Sequence, residues 1–173
     1  TVFRNNDILR AYWNTLLYTA AGTLINVSMA LITAYPLSRR DLRGRGFLML
    51  IFTFTMFFSG GMIPSYINIS NLHLMNTFWV MVLPGALSVY NMIVTRTFIQ
   101  TSIPYEMLEA ASIDGCNDTK YFFSFVLPLS KAIIAVNTLF SAVNHWNAYF
   151  NAMIYLNDRD KLPLQNIMRE LLV

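Results

Sequence analysis

Three long stretches of this chain carry no strong acid or base: none between Arg10 and Arg39, none between Arg45 and Arg96, and none between Lys131 and Asp158. An amphipathic helix at a water-facing surface places polar or charged residues on its outer face at almost every turn, so stretches like these leave little to meet water. Crossing a bilayer as a helix takes roughly 20 mainly apolar residues, so the first and third stretches each hold one span and the middle stretch holds two. The predicted spans run from Tyr12 to Tyr35, Phe47 to Tyr66, Thr77 to Thr95, and Ala132 to Met153. This predicts an all-α, polytopic membrane helix bundle forming a single transmembrane domain over residues 1–173. Only 12% of the residues are charged, about half the share in an ordinary soluble domain, which excludes most soluble classes. Pro64 and Pro84 fall within predicted spans and are compatible with them, because neighbouring helices satisfy the backbone groups that a proline frees.

Charge placement orients the bundle. Arg39, Arg40, Arg43 and Arg45 crowd the first loop, the second loop (Ser59 to Asn76) has no Lys or Arg, and the third carries Arg96, Lys120 and Lys131. The positive-inside bias puts loops one and three in the cytoplasm, with loop two and both termini outside. The outer ends also hold Arg4, Arg10, Arg159, Lys161 and Arg169, accompanied by Asp7, Asp158, Asp160 and Glu170. External ends and a start at Thr1 without a charged leader fit a segment of a longer protein. The single cysteine, Cys116, forms no internal disulfide, and His73 has no partner at metal-ligand spacing. No metal site, cofactor or catalytic residue is predicted.

The third loop reads as structure in its own right. Pro104 suits the first turn of a helix, Glu106 and Glu109 sit near its positive end, and Ala110 and Ala111 are strong helix formers. Gly115 reads as the stop, and Asn117 or Asp118 as the cap of a second short helix leading to Pro128. A helix-turn-helix over 101–128 follows. Its apolar sides are predicted as Met107, Leu108, Ala111 and Ile113, then Tyr121, Phe122, Phe123 and Phe125.

Glu109-Ala110-Ala111, Asp114-Gly115 and Leu127-Pro128, at these spacings, resemble the EAA loop of the permease subunits of bacterial ATP-binding-cassette importers. Ala34-Tyr35 with Ser38-Arg39, Gly60 to Pro64, Trp146-Asn147 and Pro163-Leu164-Gln165 are similar to the maltose-type carbohydrate permeases. Within them the likeness is greatest to the Gram-positive branch named for polysaccharide and aldouronate uptake. Cys116 stands where alanine is usual and Phe125 where isoleucine is common. The resemblance implies a multi-pass, non-catalytic subunit of the bacterial cytoplasmic membrane that moves a carbohydrate by alternating access. Its implied partners are ABC ATPase subunits, a second homologous permease subunit and an extracellular solute-binding lipoprotein, with no nucleic acid and no cofactor. It assigns ATPase coupling to Glu109, Ala110, Ala111, Asp114, Gly115, Leu127 and Pro128. It also implies six spans, with one helix before Thr1 and one after Val173. No GxxxxGK[ST] loop is present to cradle phosphates, so ATP hydrolysis falls to a partner.

In the last predicted span, Asn137, Ser141, Asn144, Ala148 and Asn151 recur at helical spacing along one face. Such a stripe either lines the substrate pathway, offering hydrogen bonds to sugar hydroxyls, or bonds neighbouring helices together. Two readings of other classes are an integral-membrane enzyme using Glu106, Glu109 and Asp114 as acid/base groups, and a channel working without an ATPase.

Overall fold

The structure, a computed structural model, describes residues 6–172, so Arg4 lies outside it. Its regular elements are all helical. They are α1 (Asn6–Ser38), α2 (Arg45–Phe57), α3 (Met62–Asn71), α4 (Trp79–Val82), α5 (Val89–Ser102), α6 (Tyr105–Ile113), α7 (Asp118–Leu129), α8 (Lys131–Trp146), α9 (Tyr149–Tyr155) and α10 (Leu164–Leu172).

Among the described residues, only Asp7–Ser38 is by itself long and apolar enough to cross a bilayer. Two interrupted pairs, α2 with α3 and α7 with α8, reach that length if each pair is taken as one span. The expected uninterrupted spans are corrected at three places. Phe47 to Tyr66 breaks where Phe58 turns extended and Gly61 adopts φ 87° and ψ 179°, a conformation open essentially to glycine alone. Thr77 to Thr95 holds only α4 and the start of α5, with Pro84, which has no N–H to continue a helix, between them. Ala132 to Met153 breaks between Trp146 and Tyr149. Apolar content shows which residues tolerate hydrocarbon. It does not show whether their backbone is one helix.

The chain forms two compact units, one of Thr1–Asn26, Gly60–Ala86 and Leu139–Val173, the other of Val27–Ser59 and Leu87–Thr138. The first unit packs Tyr18, Ile69, Val80, Met81, Val82, Ala152, Tyr155 and Leu156 together. Polar side chains of α1 hold the segment leading into α10. Asn14 Nδ2 donates to the Asp160 carbonyl at 2.7 Å, Tyr18 OH donates to the Lys161 carbonyl at 3.0 Å, and Leu164 N–H donates to Thr15 Oγ1 at 2.8 Å. Deeper in the unit, Ser141 Oγ donates to Asn26 Oδ1 at 3.0 Å, and Asn26 Nδ2 donates to the Gly85 carbonyl at 3.0 Å. An amide taken from water without such partners costs several kcal/mol, which is why these polar groups are paired.

The second unit centres on Ala34, Leu37, Met92, Ile99, Leu108, Ala111, Tyr121 and Val126. Asn137, 1% exposed, donates through Nδ2 to Thr95 Oγ1 at 2.7 Å, and the Thr95 hydroxyl donates in turn to the Asn91 carbonyl at 2.7 Å. Thr95→Val keeps the shape and removes the acceptor, leaving a buried amide unsatisfied at a cost of about 1–3 kcal/mol. The variant should therefore melt several degrees lower in detergent, and adding Asn137→Leu should recover part of the loss. An unchanged melting temperature in Thr95→Val would show that the bond carries no stability.

Candidate functional site: the α6–α7 hairpin

The hairpin grows from short-range chemistry. Pro104, at φ −59°, precedes the first turn of α6, and Met107 N–H donates to its carbonyl at 3.2 Å. Leu108 and Ala111, one turn apart, face the core of the second unit, and the small side chain at 111 lets the helix lie close. Glu109 and Ala110 are exposed, and Ile113 is 87% exposed. Ile113 was expected to share one apolar side with Met107, Leu108 and Ala111. At 3.6 residues per turn it stands about 140° around the helix from Leu108, so it points away.

The end of α6 is a Schellman turn. Gly115 takes φ 74°, its N–H donates to Ser112 O at 3.1 Å, and Cys116 N–H donates to Ala111 O at 2.9 Å. Cys116 is half-buried against the core, supplying the apolar contact that accompanies such turns. Asp114 contributes the exposed cap residue, its N–H bonding Ala110 O at 3.1 Å. Asn117 then caps α7, its Oδ1 accepting from Lys120 N–H at 2.8 Å. Within α7, residues Phe122–Val126 form a π-helical turn that buries Val126 and leaves Phe123 61% exposed, so its aromatics do not share one apolar side. Leu127 is half-buried and Pro128 exposed. At Ser130 the chain bends by 77° into α8.

What fixes the hairpin in place is Arg39, just past α1. Its Nε donates to Asp41 Oδ1 at 2.8 Å, and its Nη1 reaches Tyr35 OH at 3.3 Å and the carboxylate of Asp118 at the start of α7. The Arg39 side chain is 17% exposed, against 72% for that of Asp118. The hydrogen bond from Arg39 holds Asp41 below the usual carboxylate range. The bonds to Asp41 and then to Asp118 and Tyr35 raise the Arg39 pKa against the opposing effect of burial, so the guanidinium stays charged. From α5, Arg96 Nε and Gln100 Nε2 donate to the carbonyls of Leu37 and Ser38 at 2.8 and 3.0 Å, satisfying orphan acceptors at the end of α1. Sequence reasoning counted Arg39 among the loop arginines and Asp118 among the caps. A pair 79 residues apart leaves no spacing signal.

The polar stripe is divided. Asn137 and Ser141 are buried with their donors engaged, whereas Asn144 and Asn151 are exposed. Because α8 ends at Trp146 and α9 begins at Tyr149, Ala148 and Asn151 do not continue the face begun at Asn137, which corrects the single-face expectation. His145 packs on Gly22 so closely that a Cβ there would meet the imidazole at 2.5 Å, and Trp146 stands edge-on to Tyr12 at 6.1 Å. These two residues act in packing.

An all-helical chain with a membrane-length helix and an outward-facing, backbone-locked hairpin has the build of a membrane transport component. The chain belongs to the family of binding-protein-dependent transport system inner membrane components, whose model matches residues 10–167. It is 42% identical over 172 residues to the polygalacturonan/rhamnogalacturonan transport system permease protein YtcP of Bacillus subtilis (strain 168), covering 99% of this chain and 60% of that protein. Protein LplC of the same organism is 40% identical, covering 99% of this chain and 58% of LplC. A chain in the crystal structure of a bacterial ABC transporter involved in the import of the acidic polysaccharide alginate matches with a TM-score of 0.96 and 34% identity, over 99% of this chain and 61% of that one. The chain thus spans about three fifths of the length of these relatives.

If Arg39 fastens the hairpin, Arg39→Gln should raise amide hydrogen exchange across residues 105–121 by about fivefold, in line with a loss near 1 kcal/mol for a partly exposed pair, while α10 exchanges as before. Equal exchange in parent and variant would remove Arg39 from this role.

Proposed function

We propose that this chain forms the membrane core of a permease subunit in a bacterial ATP-driven importer, and that ATPase subunits drive it through the α6–α7 hairpin. The observation that carries the reading is the hairpin itself. Glu109, Ala110 and Ile113 form an outward face, Leu108 and Ala111 anchor the other side, and a glycine turn holds the reversal. An exposed isoleucine beside a carboxylate on a rigid short helix suits insertion into a protein cleft, and membership of the transport family supports that partner. Closure of the ATPase subunits on ATP would push α6. Arg39 would pass the push to α1 and the bend at Ser130 would pass it to α8, giving alternating access by movement of packed elements.

The three charge-free stretches, the middle one long enough for two spans, support four membrane crossings by this chain, the broken ones included, in a multi-pass protein of the cytoplasmic membrane. In this arrangement loops one and three face the cytoplasm. A second homologous permease subunit and an extracellular solute-binding lipoprotein complete the importer. The cargo is an oligosaccharide, and the polygalacturonan/rhamnogalacturonan and alginate roles named for two relatives favour an acidic glycan. Their exposure supports Asn144 and Asn151 as the amides that would meet cargo hydroxyls, while Asn137 and Ser141 bond neighbouring helices.

The test is Gly115→Val. No atom lies within 4 Å of a Cβ built at Gly115, so the strain comes from the backbone alone. Holding a non-glycine residue in the left-handed region costs roughly 1–2 kcal/mol, which distorts a short hairpin and spares a membrane core. Normal insertion, weakened ATPase association and lost uptake are expected in one preparation. A variant that binds the ATPase and transports like the parent would contradict the coupling role.

A further inference from the structure

On the inner side of α6, where Leu108 and not Ile113 forms the wall, lies a cavity of about 570 Å³. That volume falls within the range of about 300–1,000 Å³ that small-molecule sites occupy. Arg39, Arg40 and Arg45 line it, and among the described residues Glu106 is the one carboxylate on the wall. Arg39 is already met by Asp41 and Asp118. Among the described residues the other two arginines have no carboxylate partner. Arg40 Cζ lies 5.1 Å from the centre of the Tyr105 ring, and Arg45 donates through Nη1 to the Arg39 carbonyl at 3.1 Å. A guanidinium carries five N–H donors, so one such bond leaves Arg45 most of its capacity for an anion.

The rest of the lining narrows the ligand. Tyr105 and Tyr121 bring hydroxyls to the wall. Gln100, also on it, spends Nε2 on the Ser38 carbonyl at 3.0 Å, which leaves Oε1 as the acceptor it offers. An ionised Glu106 likewise only accepts. Inorganic phosphate would meet the guanidiniums and bring too little to these acceptors. A neutral sugar would serve the acceptors and leave the guanidiniums without a counter-charge. A sugar acid does both, since its carboxylate takes the N–H donors of arginine while its hydroxyls donate to the amide and carboxylate oxygens.

We infer that this cavity binds a uronic-acid sugar on the cytoplasmic side of the membrane, its carboxylate on Arg40 and Arg45 and its hydroxyls on Gln100 and Glu106. The inference rests on the proposed function, in which loop one is cytoplasmic and the cargo is an acidic glycan, so that sugars of this class are delivered to that side. Glu106 repels further negative charge, so a polyanion such as a nucleotide fits less well than a sugar with one carboxylate. The cavity is distinct from the exposed Asn144 and Asn151, because its whole lining belongs to the second unit and those two residues to the first. With Leu108 on the same wall, a sugar seated there bridges the loop after α1 to α6 and holds the hairpin against displacement.

The whole transporter in nanodiscs, without nucleotide, provides the test, with galacturonate, galactose and inorganic phosphate as probes. Affinity is read by calorimetry and location by amide hydrogen exchange from Tyr105 to Leu108. Galacturonate should bind and protect that segment. Galactose, which differs in lacking the carboxylate, should bind about tenfold more weakly for want of the charged hydrogen bonds. Arg40→Gln with Arg45→Gln should weaken galacturonate by a similar factor, while Arg43→Gln, in the same loop and off the cavity wall, should bind as the parent does. Arg40→Lys with Arg45→Lys keeps the charge and should recover part of the binding, which guards against misfolding in the glutamine pair. Equal binding by parent and glutamine pair, binding without protection of α6, or equal affinity for galactose overturns the site. Phosphate binding more tightly than galacturonate, with the same dependence on the arginines, gives the cavity to a simple oxyanion and overturns the sugar assignment. ATPase co-purification and glycan uptake are scored on the same preparations. No galacturonate binding in a parent that holds its ATPase and imports acidic glycan sinks the site and leaves the transport reading standing. A parent that holds no ATPase, or imports only neutral glycans, strikes at that reading instead, whatever the cavity binds.

Discussion

One partly buried cation ties together three parts of the second unit. The Arg39 side chain is 17% exposed, and the groups that meet its guanidinium come from different parts of the chain: the carboxylates of Asp41 from the same loop and Asp118 from the hairpin, and the Tyr35 hydroxyl of α1 as a neutral acceptor. With both carboxylates more than half exposed, each pair contributes about 1 kcal/mol or less, and its role is to join segments distant in the chain. The end of α1 and the start of α7 are therefore mechanically joined. The carbonyls that α1 leaves open are closed by Arg96 and Gln100 of α5, which joins a third helix to the same point. A hairpin seated on this junction can pass a displacement onward, where a hairpin on a flexible tether would absorb it.

A membrane environment also explains why the buried amides of Asn26 and Asn137 are hydrogen-bonded to other elements. In hydrocarbon an unpaired carboxamide has no water to fall back on. Asn26 with Ser141 and the Gly85 carbonyl, and Asn137 with Thr95 and the Asn91 carbonyl, are linked chains of donors and acceptors, each within its own unit. They fix helix register more than they add stability, since hydrogen bonds of this kind contribute about 1 kcal/mol or less in membrane proteins. Breaks in the helices follow the same economy. Residues that end a helix, such as Phe58 to Gly61 and Pro84, sit where the apolar pattern continues, so the chain stays lipid-compatible while its direction changes.

Much of this was legible in the residues. The helical class followed from charge-free segments, and the hairpin followed from local chemistry: proline at the start of α6, alanines within it, glycine at its end and asparagine capping α7. Each of these acts over a few residues, so sequence order reports it faithfully. Helix continuity was less legible, because hydropathy is blind to the φ and ψ that Gly61 permits. The fate of the polar stripe was hidden for a similar reason. Periodicity lined up Asn137 through Asn151, but a break at Asn147 and Ala148 rotates the later residues off the face. Arg39 and Asp118 were out of reach altogether, since their meeting depends on how α1 and α7 pack. Ile113 was grouped with Leu108 and Ala111 for its apolar character, and counting around the helix separates it from them.

The central claim is that α6 presents its outer face to an ATPase while its inner face belongs to the permease. Site-directed cross-linking measures this most directly. In a Cys116→Ser background, single cysteines replacing Ile113 and Leu108 would be treated with a short bifunctional thiol reagent in membranes containing the assembled complex. The account predicts a cross-link to the ATPase subunit from position 113 and none from position 108. A complex that retains its ATPase and yields no adduct from position 113, or an adduct from 108 alone, would contradict it.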